Sequence, residues 1–160
     1  TPRPPAASTC ATAACHALAL SLSAVDAAAC VLFVLCLLGE TVADQQQWDF
    51  HQEKKRLISE MRRFFPFLRT GLFRYSRHPN FFFEVSLWWC VYLFSVTSTG
   101  AALNFTALGA VSLNVLFHFS TNFTEEITGS KYPQYARYQQ TTSRLVPWFP
   151  GDDAPKRKVA

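Results

Sequence analysis

Charged residues are scarce in this sequence. They make up 16% of its 160 residues, whereas a typical soluble domain carries about 25%. Hydrophobic residues reach 49%, which excludes disorder for most of the chain because disorder requires low hydrophobicity and high charge. Methionine is almost absent, since Met61 is the only one and the chain begins at Thr1. We therefore expect a membrane-associated chain, and we interpret it as a fragment or a processed product.

The motifs of several soluble enzyme classes are missing. The six glycines are scattered and form neither GxGxxG nor a Walker motif, so a Rossmann-type nucleotide site is excluded. There is no HExxH motif and no Cys/His cluster, so we expect no bound metal. There is also no GxSxG nucleophile elbow. The cysteines are odd in number and form no CxxC pair, which argues against a disulfide framework or a zinc site. They are Cys10, Cys15, Cys30, Cys36 and Cys90. We interpret Cys30, Cys36 and Cys90, which lie in apolar runs, as small hydrophobes.

Long apolar runs predict an all-α fold, a polytopic bundle of about three membrane helices with additional interfacial helices. Residues 17–38 are almost entirely apolar, and about 20 such residues span a bilayer. A signal peptide is the competing interpretation of this run. Residues 81–123 are apolar again but too long for one span, and the break at 98–100 predicts two helices joined by a short turn. Asp26 lies inside the first run and either snorkels or faces a neighbouring helix.

Basic residues flank this hairpin at both ends. The net charge is +4, with the basic residues in 40–80 and in the C-terminal tail, which favours a membrane surface over nucleic acid as a partner. The positive-inside rule places both segments in the cytosol. Lys156 and Lys158 resemble a dilysine signal for retrieval to the endoplasmic reticulum, although a solvated basic tail explains them equally well. We divide the chain into a flexible lead-in (1–16), a membrane domain (17–150) and a charged cytosolic tail (151–160).

Two sets of polar residues recur at helical spacing, so each set shares one helix face. The first follows the first apolar run and lines either a cytosol-facing cavity or a solvated helix start. It consists of Glu40, Asp44, Gln47 and His51. The second predicts a cavity wall on the last membrane helix. It consists of Asn114, His118, Asn122, Glu125 and Glu126.

A third set lies in GLFRYSRHPNFFFE at 71–84. Arg74, Arg77 and His78 precede a proline, and guanidinium groups suit phosphate binding. Asn80 and Glu84 are four residues apart and share a face if a helix begins at the proline. A fourth set of tyrosines and basic residues suits either a purine ring with its phosphates or an aromatic belt. It consists of Lys131, Tyr132, Tyr135, Arg137, Tyr138 and Arg144.

These strings resemble a known family. ExxxDQ at 40–45, GLFRYSRHPNFFFE at 71–84 and EE…KYPQYARYQQTTSRLVPWFP at 125–150 are similar to the C-terminal domain of the steroid 5-alpha-reductase-like membrane proteins, in a poorly characterised branch. The resemblance implies NADPH as cofactor, bound from the cytosolic side, and an apolar lipid substrate. It also implies reduction of a carbon–carbon double bond conjugated to a carbonyl, by hydride transfer from the nicotinamide.

The resemblance also implies which residues bind the cofactor. They are Asp44, Arg74, Arg77, His78, Asn80, Glu84, Glu125 and Tyr135. This chain has Phe83 where the family usually has glycine. The proton donor of the reductases lies in their N-terminal half, so no catalytic residue is named here.

Two other interpretations remain open. Isoprenylcysteine and phospholipid methyltransferases are membrane proteins with a similar C-terminal layout, and they use an RHP-type motif and paired acids for S-adenosylmethionine. A non-catalytic, truncated membrane protein is the other alternative, which Phe83 and the missing N-terminal half favour. The reductase remains the preferred interpretation.

Overall fold

The computed structural model describes residues 23–63 and 66–151. Within them the chain is all-helical, as predicted. The elements are α1 (Ala24–Ser59), a 3₁₀ helix (Gly71–Arg74), α2 (Pro79–Thr99), α3 (Ala107–Lys131) and α4 (Tyr135–Thr141). The predicted lead-in, the first residues of the first apolar run (17–22) and the tail from residue 152 lie outside the described residues, as do Cys10 and Cys15.

One continuous helix, α1, carries both the first apolar run and the polar residues that follow it. Its 36 residues extend about 54 Å at 1.5 Å per residue, which is longer than a bilayer core of about 30 Å. Ser23 and Asp26 form a capping box at its first turn, which satisfies backbone N–H groups that would otherwise lack partners. Asp26 also accepts a hydrogen bond from the Thr97 hydroxyl of α2. Of the two predictions for Asp26, the neighbouring helix is therefore correct.

Helix α2 runs antiparallel to α1 and packs against it more extensively than any other pair of helices. It begins with Pro79 in its first turn, as predicted, and ends at Gly100, which adopts a left-handed φ of 67° that glycine tolerates best. Phe83 lies over Gly39 of α1, where an added Cβ atom would be 2.5 Å from the Phe83 ring. The ring of Phe83 thus fills the space that a glycine leaves on the facing helix.

The predicted break into two helices joined by a short turn is confirmed, with α2 and α3 joined by residues 100–106. Phe81 of α2 and Phe117 of α3 stack with ring centroids 4.3 Å apart. In the part of the chain that the structure describes, two helices are long and apolar enough to cross a membrane, namely α1 and α2. Helix α3, predicted as the third membrane helix, has 25 residues but is not among them, because its polar side chains lower its hydropathy.

Candidate functional site

The two C-terminal sequence motifs meet through their backbones. Ser76 and Ser143 form a parallel bridge, and the Arg77 N–H donates to the Ser143 carbonyl over 2.8 Å. Ser76 is fully buried, and its hydroxyl donates to the Leu145 carbonyl over 2.8 Å. The loop before α2 and the segment after α4 therefore form one packed unit.

A buried ion pair lies next to this bridge, because it involves Arg77, the residue after Ser76. Arg77 binds both carboxylate oxygens of Glu125, with Nε at 2.7 Å and Nη2 at 3.1 Å, and the two side chains are only 9% and 10% exposed. His78 Nε2 lies 3.0 Å from the same carboxylate, and Gln139 donates to it over 2.9 Å. Arg77 Nη1 donates to the carbonyls of Gln139 and Thr142, each over 2.7 Å. The cluster ties α3 to α4 and to the loop before α2.

These contacts shift the acidities of the groups in the cluster. Burial raises the pKa of Glu125, but hydrogen bonds from His78, Arg77 and Gln139 outweigh it and lower the pKa to about 2, so the carboxylate is charged at neutral pH. Burial, followed by the charge of Glu125, raises the pKa of Tyr135 to about 12. The phenol of Tyr135 therefore keeps its proton at neutral pH.

In front of the cluster lies a cavity of about 380 Å³, the central cleft. The ring of Phe67 contacts Tyr135 edge-on at 5.0 Å and stacks on Tyr138 at 5.4 Å. Lys54 reaches the Pro66 carbonyl over 3.1 Å. The four α-helices defined above all contribute residues to the lining of the central cleft. The lining residues are Gln47, Phe50, His51, Lys54, Pro66, Phe67, Leu68, Phe73, Arg77, His78, Asn80, Phe81, Thr124, Ile127, Thr128, Lys131, Tyr132, Tyr135 and Tyr138.

A second cavity of about 720 Å³, the arginine pocket, shares Phe67 and Tyr138 with the central cleft. Its remaining lining residues are Arg69, Thr70, Arg74, Gln134, Arg137, Thr141, Thr142, Pro150 and Gly151. The two aromatic rings therefore separate an arginine-rich cavity from one with more aromatic walls.

With this geometry defined, comparison with known proteins gives the family. The model of the family described as "Protein of unknown function (DUF1295)" matches residues 6–142. The chain belongs to the DUF1295 family. This family lies within the steroid 5-alpha-reductase-like superfamily, which agrees with the resemblance seen in the sequence.

One relative of this DUF1295 chain is a protein of Schizosaccharomyces pombe described as uncharacterized. It is 36% identical over 134 residues, which cover 75% of this chain and 38% of the relative. The chain thus spans well under half the length of the curated relative it matches. No solved structure matches the chain.

The structure divides the eight predicted cofactor residues of the DUF1295 chain into separate groups. Four of them line the central cleft, namely Arg77, His78, Asn80 and Tyr135. The carboxylate of Glu125 binds the side chains of Arg77 and His78. These five residues come from α2, α3, α4 and the loop before α2. The central cleft is therefore the place where the predicted residues converge.

The other three predicted residues lie elsewhere. Arg74 lines the arginine pocket. Asp44 is exposed on α1. Glu84 lies one turn further along α2 than Asn80, where it accepts a hydrogen bond from Trp88 Nε1 over 2.9 Å and contacts the carboxyl group of Glu40.

The polar face predicted on the last membrane helix only partly faces the site. His118 and Asn122 are exposed, and Asn114 donates to the Ala110 carbonyl of its own helix over 2.8 Å. Sequence reasoning missed Thr124 and Thr128, which line the cleft. Their spacing of four residues, followed by Lys131 three residues later, was the available signal.

Arg144, from the fourth predicted set, holds α3 instead of lining either cavity. Its Nε donates to the Thr121 hydroxyl over 3.1 Å, and its Nη2 donates to the His118 carbonyl over 2.8 Å. Across residues 23–63 and 66–151, no group of three or more His, Cys, Asp or Glu side chains could hold a metal ion. Three cysteines in these ranges are free thiols, namely Cys30, Cys36 and Cys90.

Proposed function

We propose that this DUF1295 chain is part of a membrane-embedded, NADPH-dependent reductase. Its reaction would reduce a carbon–carbon double bond conjugated to the carbonyl of a lipid or steroid-like compound. The observation that carries the proposal is the central cleft, where His78 and Asn80 of one sequence motif meet Tyr135 of the other in one cavity. Membership of the steroid 5-alpha-reductase-like superfamily supports the same reaction class.

The residues of the cleft fit a nicotinamide cofactor. Phe67 and Tyr135 offer flat aromatic surfaces, and the side chains of Asn80 and His51 offer hydrogen-bonding groups to a carboxamide or a ribose. NADPH, when bound, supplies the hydride that reduces the conjugated double bond. The cleft residues would hold and orient the reacting ring and keep water away from it.

Tyr135 and the buried ion pair have distinct parts in this proposal. Because the pKa of Tyr135 is raised to about 12, its phenol donates a hydrogen bond at neutral pH and can stabilise negative charge that develops on a carbonyl oxygen. Arg77 and Glu125 satisfy each other's charges and fix the backbone before Asn80. They would act as positioning residues for the cleft.

An apolar groove of about 440 Å³ between α2 and α3 suits the proposed lipid substrate. It is lined by Trp88, Gly109, Ser112, Leu113 and Leu116. Helices α1 and α2 would cross the membrane, and α3 would return the chain to the cytosolic side, where residues 40–80 and the C-terminus would lie. The basic tail supports placement in the endoplasmic reticulum.

The test is a cofactor titration of the protein purified in detergent, with NADPH fluorescence as the readout. We expect NADPH to bind and S-adenosylmethionine to leave that binding unchanged. Asn80→Ala should weaken NADPH binding by about tenfold, since a lost hydrogen bond to a buried polar group costs about 1–3 kcal/mol. Asn122→Ala is the matched control, because Asn122 is exposed on α3 outside the cleft.

The possible outcomes separate the candidate functions. Unchanged NADPH affinity in Asn80→Ala would remove the cleft as the cofactor site. Binding of S-adenosylmethionine without NADPH would replace the reductase with a membrane methyltransferase. Binding of neither compound would favour a non-catalytic protein.

A further inference from the structure

The arginine pocket has the chemistry of a phosphate site. Three guanidinium groups from separate segments line it, with Arg69 before the 3₁₀ helix, Arg74 in that helix and Arg137 in α4. Guanidinium groups bind phosphate oxygens through a planar fork of donors. A ligand with one or more phosphate groups is therefore the class that suits this pocket.

The wall that carries Arg74 is held in place from two sides. Gln46 of α1 accepts a hydrogen bond from the Leu72 N–H over 2.9 Å, and its side chain packs against Gly71. From the other side, the Tyr138 hydroxyl of α4 donates to the Phe73 carbonyl. The 3₁₀ helix is therefore fixed between α1 and α4, which limits the backbone entropy that this segment loses when a ligand binds.

Exposed aromatic residues lie directly beside the pocket. Trp148 and Phe149 are 71% and 80% exposed, and they immediately precede two residues that line it, Pro150 and Gly151. The backbone N–H of Trp148 donates to the Tyr75 carbonyl over 2.9 Å, which anchors this segment next to the 3₁₀ helix. Aromatic rings beside basic residues are typical of segments at the membrane–water interface.

We propose that the arginine pocket binds a phosphorylated lipid headgroup at the membrane surface, with Trp148 and Phe149 entering the interface beside it. The proposal does not depend on the reductase function. It assigns Arg74 to a lipid phosphate, whereas the sequence resemblance assigns this residue to the cofactor. A phosphate monoester is the preferred group because its charge of nearly −2 matches several guanidinium groups.

Native mass spectrometry of the detergent-purified protein tests the proposal. The probes are dioctanoyl phosphatidylinositol 4-phosphate and dioctanoyl phosphatidylinositol, which differ only in the phosphate monoester. We expect the phosphorylated lipid to bind about tenfold more tightly. Arg74→Gln should remove most of this difference, whereas Arg62→Gln, which removes the same charge from an exposed position outside the pocket lining, should retain it.

Two further arms identify the source of the phosphate. Trp148→Ala should weaken binding of the phosphorylated lipid at least threefold and leave binding of its deacylated, soluble headgroup unchanged. Equal affinity for the two lipids, or equal effects of Arg74→Gln and Arg62→Gln, would overturn the proposal. Displacement of the lipid by 2′,5′-ADP would also overturn it, because the pocket would then be a nucleotide site. Circular dichroism of each variant confirms that it is folded.

Discussion

The carboxylate of Glu125 is the counter-ion of a buried guanidinium, and Glu125→Gln removes its charge while keeping its shape. In the wild type, hydrogen bonds lower the pKa of Glu125 from its ordinary value of 4.5 to about 2. At about 1.4 kcal/mol for each unit of pKa shift, this difference corresponds to a stabilisation of the folded protein by about 3 kcal/mol at pH 7. Removing one partner of a buried ion pair typically costs about 3–5 kcal/mol of stability, which agrees with the value from the pKa shift. We therefore expect Glu125→Gln to lower the free energy of unfolding by about 3 kcal/mol.

The assay is equilibrium unfolding by denaturant in detergent micelles, followed by far-ultraviolet circular dichroism. Glu126→Gln is the matched control, because Glu126 is the adjacent acid and is exposed. An exposed substitution of this kind changes stability by about 0.5 kcal/mol or less. A loss below about 1 kcal/mol in Glu125→Gln, or equal losses in both variants, would refute the stabilising role of the ion pair.

The same assay gives a pH dependence of known sign. The pKa of Glu125 is lower in the folded protein than in the unfolded chain, so its contribution to stability is complete above the unfolded value. The contribution is lost as the pH falls from about 4.5 towards about 2. The difference in stability between wild type and Glu125→Gln should therefore shrink across this range. A difference that stays constant down to pH 3 would contradict this.

The remaining predictions concern glycines and use the same unfolding assay. Gly71→Ala should destabilise by more than 2 kcal/mol, because a left-handed φ costs about 1–2 kcal/mol for a residue with a Cβ atom and that atom would overlap Gln46. Gly100→Ala carries the same φ penalty, but the space around Gly100 is open. Equal losses of stability in Gly71→Ala and Gly100→Ala would therefore exclude a contribution from the overlap with Gln46. Gly39→Ala should destabilise by about 1–3 kcal/mol, because its Cβ atom would overlap the Phe83 ring. In a Phe83→Ala background the same substitution should cost nothing further, and additive losses would contradict the close approach of Gly39 to the Phe83 ring.

The helices were predictable because their signals are local. Hydrophobic run lengths predicted α1 and α2 as candidate spans, Gly100 marked the end of α2, and Pro79 marked its beginning. The convergence of the motifs at 71–84 and 125–150 was accessible only as a resemblance to a family. Spacing along the chain carries no information about which distant segments pair.

The roles of individual polar residues depend on long-range partners. The sequence predicts Arg77 and His78 as phosphate ligands, and their role in cofactor binding stays a prediction. The structure adds that both side chains contact Glu125, a residue from another helix. The rotation of α3 is also set by its neighbours, which turn Thr124 and Thr128 to the cleft and leave Asn122 exposed.

The backbone bridge between Ser76 and Ser143 has a consequence for how related chains can diverge. It joins the segment before α2 to the segment after α4, so the α2–α3 hairpin and α4 form one loop closed at its base. Insertions or deletions in residues 100–106, at the far end, should be tolerated because they leave the base unchanged. A single residue inserted between Ser76 and Arg77 would shift the register of Arg77 and Asn80 together. Length variation among relatives should therefore concentrate at the tip of the hairpin and be absent from its base.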